Sequence, residues 1–117
     1  MIIRQQQIRE LGDAHFNELI RRISAGLRDQ FPERTRELTE EQLHGQTRRA
    51  VEKCKRYDVR MEQDVRRFAE FCLLHGAAFD EDCVWAAGIL NQPEATGNER
   101  IRQLDEYELH TLGGGPR

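Results

Sequence analysis

Four histidines are the first candidates for metal binding or acid–base chemistry in this sequence. They lie far apart in the chain, at His15, His44, His75 and His110. Metal-binding motifs normally contain at least one local pair of ligands, and no two of these histidines are four residues apart. The spacing therefore favours structural or surface roles and predicts no metal site.

The three cysteines could carry nucleophilic or redox chemistry, but their setting argues against both. A zinc knuckle or a thioredoxin-type site needs a Cys-x-x-Cys pair, and none occurs among Cys54, Cys72 and Cys83. Cys72 precedes His75 by three residues, yet it lies within an apolar stripe, where a thiolate is disfavoured. Widely spaced cysteines in odd number fit the reducing cytoplasm.

Glycine-containing catalytic motifs are also missing from the sequence. It has no Gly-x-Ser-x-Gly nucleophile turn, no phosphate-binding glycine loop and no dinucleotide fingerprint. We therefore expect no catalytic residue and no cofactor, and an enzyme is the least expected class.

A short acidic run between two large aromatic residues is the best candidate for a binding site. Asp80, Glu81 and Asp82 lack the alternating ligands and the glycine of a calcium loop, so capping of the next helix by Asp80 or Asp82 is favoured over cation binding. The flanking aromatics could instead form a protein-binding anchor with an acidic rim, because tryptophan is enriched at binding hot spots. The candidate partner-binding residues are Phe79, Asp80, Asp82 and Trp85. Core packing remains the alternative for both aromatic residues.

A basic segment gives the best argument for nucleic-acid binding. Its cations are Arg48, Arg49, Lys53, Lys55, Arg56 and Arg60. Carboxylates are interspersed with them, and the net charge of −3 differs from the clearly basic balance of most nucleic-acid-binding domains. A solvated helix face is the favoured interpretation, and we expect no nucleic-acid partner.

Length and composition predict one small domain. The 117 residues are 38% hydrophobic and 33% charged, which suits slim amphipathic helices. No stretch approaches the roughly 20 apolar residues that span a bilayer, and the N-terminus lacks the apolar run of a secretory signal. We expect a cytoplasmic protein with a helical domain over residues 1–112, a flexible tail over 113–117 and no membrane partner.

Helical periodicity without strand-like alternation predicts an all-α bundle of about five helices. The central helix is expected at residues 61–75, because its second half is apolar almost all round and leaves only Glu70 as a solvent-facing position. The other helices are expected near residues 4–30, 40–56, 83–90 and 97–112. Thr39 and Gln42 have capping-box spacing, and Asp58 suits a left-handed turn before the central helix.

The order of short landmarks along the chain resembles a family of small helical proteins encoded in bacterial type VI secretion effector loci, beside VgrG or PAAR spike proteins and their adaptor chaperones. The matching pieces are Ile3-Arg4 with Gln7, Phe31-Pro32-Glu33, Tyr57-Asp58-Val59, Glu62-Gln63-Asp64-Val65 with Phe68, Gly76, Phe79-Asp80-Glu81-Asp82, Trp85-Ala86 with Ile89-Leu90, and Arg100-Ile101 with Leu104. Asp58 replaces the glycine expected in the turn before the central helix, and Cys83 stands where proline is common.

The resemblance implies a non-enzymatic chaperone or co-chaperone. Such a protein would bind the adaptor chaperone, the effector or both, and assist the loading of a type VI secretion effector onto the VgrG/PAAR spike. Homo-oligomers remain compatible with this role. Two other hypotheses stay open: a small nucleic-acid-binding regulator that uses residues 48–60, and an immunity protein against a cognate toxin.

Overall fold

The computed structural model describes residues 12–112, and for residues 111 and 112 the backbone alone. Within that range the chain forms no strand, and five of its helices have seven residues or more, which confirms the predicted all-α bundle. The helices are α1 (Asp13–Gln30), α2 (Pro32–Thr35), α3 (Glu40–Arg56), α4 (Glu62–His75), α5 (Phe79–Asp82), α6 (Val84–Leu90), α7 (Gly97–Tyr107) and a π-helix (Glu108–Leu112). The predicted tail at 113–117 and the predicted start of the first helix at 4–11 lie outside the described residues.

Helix α4 is the centre of the bundle, as predicted, and packs against α1, α3, α5 and α7. Its Val65, Phe68 and Phe71 are fully buried. Burying each of these side chains stabilises the fold by roughly 1.5–3 kcal/mol, so this one helix supplies a large share of the core. The core is one cluster of buried side chains that also takes in residues from α1, α3, α5, α6 and α7.

The C-terminal half of α4 differs from the predicted apolar helix. Glu70 was expected to face solvent, but only 7% of its surface is exposed, so that prediction is wrong. Arg67, one turn earlier on the same helix, donates a 2.9 Å hydrogen bond to its carboxylate. By contrast, Leu73 and Leu74 are only half-buried. The helix is therefore fully covered at its middle and partly open near its C-terminal end.

Helices α1 and α3 pack through the faces that their spacing predicted. Leu19, Ile20, Ile23 and Leu27 of α1 are buried, and the hydroxyl of Ser24 donates a 2.9 Å hydrogen bond to the hydroxyl oxygen of Thr47 on α3. The predicted capping box is present at the start of α3. Thr39 accepts a hydrogen bond from the Gln42 amide, and Gln42 accepts one from the Thr39 amide.

The turn between α3 and α4 is held in place by the start of α7. Asp58 adopts a positive φ of 61°, as its side chain suggested. Arg100 donates hydrogen bonds to the carbonyl oxygens of Tyr57 at 2.6 Å and of Gln92 at 2.7 Å. Gly97 lies so close that a Cβ atom there would stand 2.0 Å from the carbonyl oxygen of Asp58. Only glycine lets the two backbones approach this closely.

The substitution Gly97→Ala should therefore destabilise the protein although alanine is the better helix former. The added methyl group must push α7 away from the turn, and overpacking of this kind costs about 2 kcal/mol. The matched control is Gly88→Ala in α6, where a Cβ meets nothing within 4 Å. That change should be neutral or should stabilise by up to about 1 kcal/mol. Urea unfolding followed by far-ultraviolet circular dichroism measures both, and equal midpoints for the two variants would contradict the proposed close approach.

Candidate interaction surface

The four predicted partner-binding residues do not share one surface. Phe79 is 1% exposed and belongs to the core, which decides between the two alternatives left open for it. Asp80 is 1% exposed, so neither residue can contact a partner directly in this fold. Asp82 is exposed and Trp85 is half-buried. Of the four residues only Asp82 and Trp85 are accessible, and their contact with a partner stays a prediction.

Asp80 instead forms a buried ionic network that joins α5 to α3. Its carboxylate accepts hydrogen bonds of 2.6 Å from Lys53 Nζ and of 2.6 Å from the Tyr57 hydroxyl. Arg56 lies 3.8 Å from the same carboxylate. The predicted capping of α6 by Asp80 or Asp82 is wrong, because the residue before α6 is Cys83 and no side chain caps that end.

Hydrogen bonding decides the charge of Asp80. Burial alone raises the pKa of this carboxyl, but the hydrogen bonds from Lys53 and Tyr57 outweigh it and hold the pKa below its usual range. Burial, together with the hydrogen bond to Asp80, raises the pKa of Tyr57 to about 12. At neutral pH the network therefore contains a carboxylate, an ammonium group and a neutral phenol.

Two large apolar side chains are exposed. Val84 is 87% exposed and Leu109 is 57% exposed, and they are the exposed large hydrophobic residues of the described chain. Trp85 follows Val84 and Tyr107 lies two residues before Leu109 in the sequence, and the half-buried rings of Trp85 and Tyr107 stack with centroids 4.7 Å apart and planes 2° apart. We call Val84, Trp85, Tyr107 and Leu109 the apolar surface. Rings fixed in this way present a rigid apolar face to a partner.

A second ionic network fixes the π-helix on which Leu109 lies. Glu108 accepts a hydrogen bond of 2.7 Å from Arg67 and lies 3.0 Å from the His75 ring nitrogen. Arg67 also binds Asp105, and its guanidinium lies 4.3 Å above the Phe71 ring. A π-helix has a wider turn than an α-helix. The side chains after Tyr107 therefore point in directions different from those that a continued α-helix would give them. π-helical turns occur frequently at functional sites.

The same network carries fixed charge beside the apolar surface. Partial burial raises the pKa of Glu108, but hydrogen bonds from His75 and Arg67 outweigh this effect and leave the pKa below its usual range. The His75 ring also stands edge-on to Trp85, with centroids 5.7 Å apart and planes at 83°. Glu108 thus links the π-helix to α4, and His75 links both to the Trp85–Tyr107 stack.

Sequence reasoning missed Val84, Tyr107 and Leu109, although weak signals were present. Val84 has no apolar companions three, four or seven residues later except Ala87, so it belongs to no helical stripe. Leu109 follows Leu104 by five residues, which is outside the three- and four-residue steps of a helical stripe, although it precedes Leu112 by three. A large aliphatic side chain outside the stripe of its own helix is the pattern that could have identified this patch.

The cations of the basic segment are largely engaged within the protein. Lys53 and Arg56 bind Asp80 and Glu81 of α5. Arg48 and Lys55 lie over the Phe16 ring at 5.7 and 5.3 Å, and Arg60 pairs with Asp58 at 2.6 Å. Phosphate binding would have to compete with these contacts, which weakens the case for a nucleic-acid interface.

Two of the thiols, Cys54 and Cys72, are disfavoured as nucleophiles by their burial. Burial raises the pKa of Cys72 to about 12 despite the nearby Lys53, and it raises the pKa of Cys54 well above its usual value. Among residues 12–112, no group of three His, Cys, Asp or Glu side chains is arranged to hold a metal ion. Over the same range, no helix is both long enough and apolar enough to cross a membrane.

Comparison with known proteins adds no relative: no family model, no curated protein and no solved structure matches this chain.

The Asp80 network generates a prediction about stability. Asp80→Asn removes the buried charge that pairs with half-buried Lys53, and breaking a buried ion pair by removing one partner costs about 3 kcal/mol. Asp82→Asn is the matched control, since Asp82 is exposed, and it should change the free energy of unfolding by less than about 0.5 kcal/mol. Urea unfolding at neutral pH measures both variants.

The pH dependence of stability should follow the two shifted pKa values. Because the pKa of Asp80 is lowered in the fold, its contribution is present above the unfolded value of about 4 and is lost as the pH falls further. Because the pKa of Tyr57 is raised to about 12, its contribution is present below about pH 10 and is lost as the pH rises through 12. Tyr57→Phe should flatten the alkaline limb, and an unchanged alkaline limb would contradict the network.

Proposed function

We propose that this protein is a non-enzymatic chaperone or co-chaperone that binds its protein partner through the apolar surface. The observation that carries the proposal is the 87% exposure of Val84 beside the stacked rings of Trp85 and Tyr107. A partner that covers Val84 gains roughly 1.5 kcal/mol or more from that side chain alone. Aromatic anchors at fixed positions are the usual energetic centres of protein interfaces.

The rigidity of this surface supports binding over chemistry. Trp85 is held by stacking on Tyr107 and by the edge-on ring of His75, so little side-chain freedom is lost when a partner docks. The patch is smaller than the roughly 800 Å² that each partner buries in a standard interface. We therefore infer that the polar flanks of α6 and the π-helix take part in the contact.

We further propose that the partner is the adaptor chaperone of a type VI secretion locus, the effector it carries, or both. This step rests on the order of landmarks that resembles the family of small helical proteins from such loci. Several of those landmarks, such as Phe68 and Phe79, are core residues here, and Asp58 forms the tight turn. These positions support a shared fold, and the proposed delivery role is what the resemblance to that family implies. A chaperone that loads effectors onto the spike would act in the cytoplasm.

An immunity protein against a toxin is the second candidate, because an exposed apolar surface would serve to block a toxin as well as to bind a chaperone. Rescue of toxin-expressing cells by this protein alone, without the adaptor, would favour immunity. The nucleic-acid regulator is disfavoured, since the contacts of Lys53, Arg56 and Arg48 already use those cations.

Co-purification tests the delivery role. The tagged protein should retain the adaptor chaperone encoded in the same locus, and Val84→Asp should weaken that complex at least about 30-fold, as expected for a hot-spot position worth about 2 kcal/mol. The matched control is Ala14→Asp, which adds the same charge at an exposed position of α1. Biolayer interferometry with purified adaptor gives the affinities.

Retention of neither adaptor nor effector would refute the delivery role. Equal weakening by Ala14→Asp and Val84→Asp would place the interface away from the apolar surface.

A further inference from the structure

We infer that the segment seated on the apolar surface is a basic one: a stretch of the partner protein with aliphatic side chains flanked by lysine or arginine. The inference rests on the proposed function and names the chemistry of its partner. It follows from the charges around the apolar surface.

The rim of the apolar surface is acidic. Asp82, two residues before Val84, and Glu106, three residues before Leu109, are both exposed. Most neighbouring carboxylates are already compensated, since Glu81 binds Arg56, and both Asp105 and Glu108 bind Arg67. Across residues 12–110, by contrast, no cation lies within ion-pairing distance of Asp82 or Glu106. Within the described residues these two carboxylates form no ion pair, so they give the rim a negative field.

The charge of the wider region has the same sign. From Ala77 to the end of the sequence there are eight carboxylates and three arginines. Lys53, Arg56 and Arg67, which pair with four of those carboxylates, bring the balance to −2. Complementary charges at the rim of an interface raise the association rate and suppress partners of the wrong sign. A segment with lysine or arginine beside its apolar side chains is therefore selected over an acidic one.

A second copy of this chain fits the surface poorly. A twofold dimer through Val84 and Leu109 would bring the Asp82 and Glu106 rims of the two copies together, and like charges in contact oppose association. A different protein with a basic margin meets no such repulsion.

The experiment uses two synthetic peptides of about 15 residues with the same leucine positions, one with lysine and one with glutamate at every flanking site; peptides of this length can lay an apolar face on a surface. Fluorescence anisotropy with the full-length protein gives their affinities. The lysine peptide should bind at least about tenfold more tightly than the glutamate peptide, and its affinity should fall as salt screens the rim.

Charge reversal then locates the effect. The double variant Asp82→Lys and Glu106→Lys should invert the preference between the two peptides. The control double variant Glu33→Lys and Glu37→Lys makes the same charge change at exposed positions in and just after α2 and should leave the preference intact. Equal affinity for both peptides, or equal loss of preference in the control, would overturn the inference.

Two further outcomes separate this inference from the proposed function. If the adaptor binds through Val84 and reversal at Asp82 and Glu106 leaves that affinity unchanged, the basic-segment inference is wrong and the chaperone role stands. If the lysine peptide shows the expected preference but no adaptor or effector co-purifies, the surface chemistry is supported and the delivery role is wrong. A dimer that Val84→Asp dissociates, seen by light scattering, would assign the surface to a second copy and refute the inference.

Discussion

The structure depends above all on the contact between Phe79 and the two phenylalanines of α4. The Phe79 ring centroid lies 5.3 Å from that of Phe68 and 5.7 Å from that of Phe71, and all three rings are buried. Aromatic contacts of this kind add about 0.5–1.5 kcal/mol to the energy of burial. Because α5 has only four residues and cannot form a stable helix alone, this packing fixes its position.

The buried charge of Asp80 is a consequence of that packing. Once Phe79 is inserted, the next residue of the same short helix also enters the interior, where an unpaired carboxylate is strongly unfavourable. Lys53 and Tyr57 of the neighbouring segment compensate it with two short hydrogen bonds. The polar network therefore sets the direction in which the chain leaves α5, and α6 with Trp85 starts from there.

The sequence predicted those features whose causes are local. The capping box of Thr39, the left-handed Asp58 and the central position of α4 each depend on residues within a turn or two. The role of Asp80 was not predictable in this way, because its partners are 27 and 23 residues away in the chain. Glu70 is an intermediate case, since Arg67 is only three residues away and periodicity alone ignores such a partner.

The apolar surface was not predicted for another reason. Whether a side chain is exposed depends on whether another part of the fold packs against it. The spacing of Val84 shows that it belongs to no helical stripe, but only the fold shows that no other described helix covers Val84 and Leu109. Phe79 and Asp80 were expected to contact a partner. In the fold they are buried and position α6 instead. A sequence motif that suggests a surface contact can thus mark residues that support a surface from the interior.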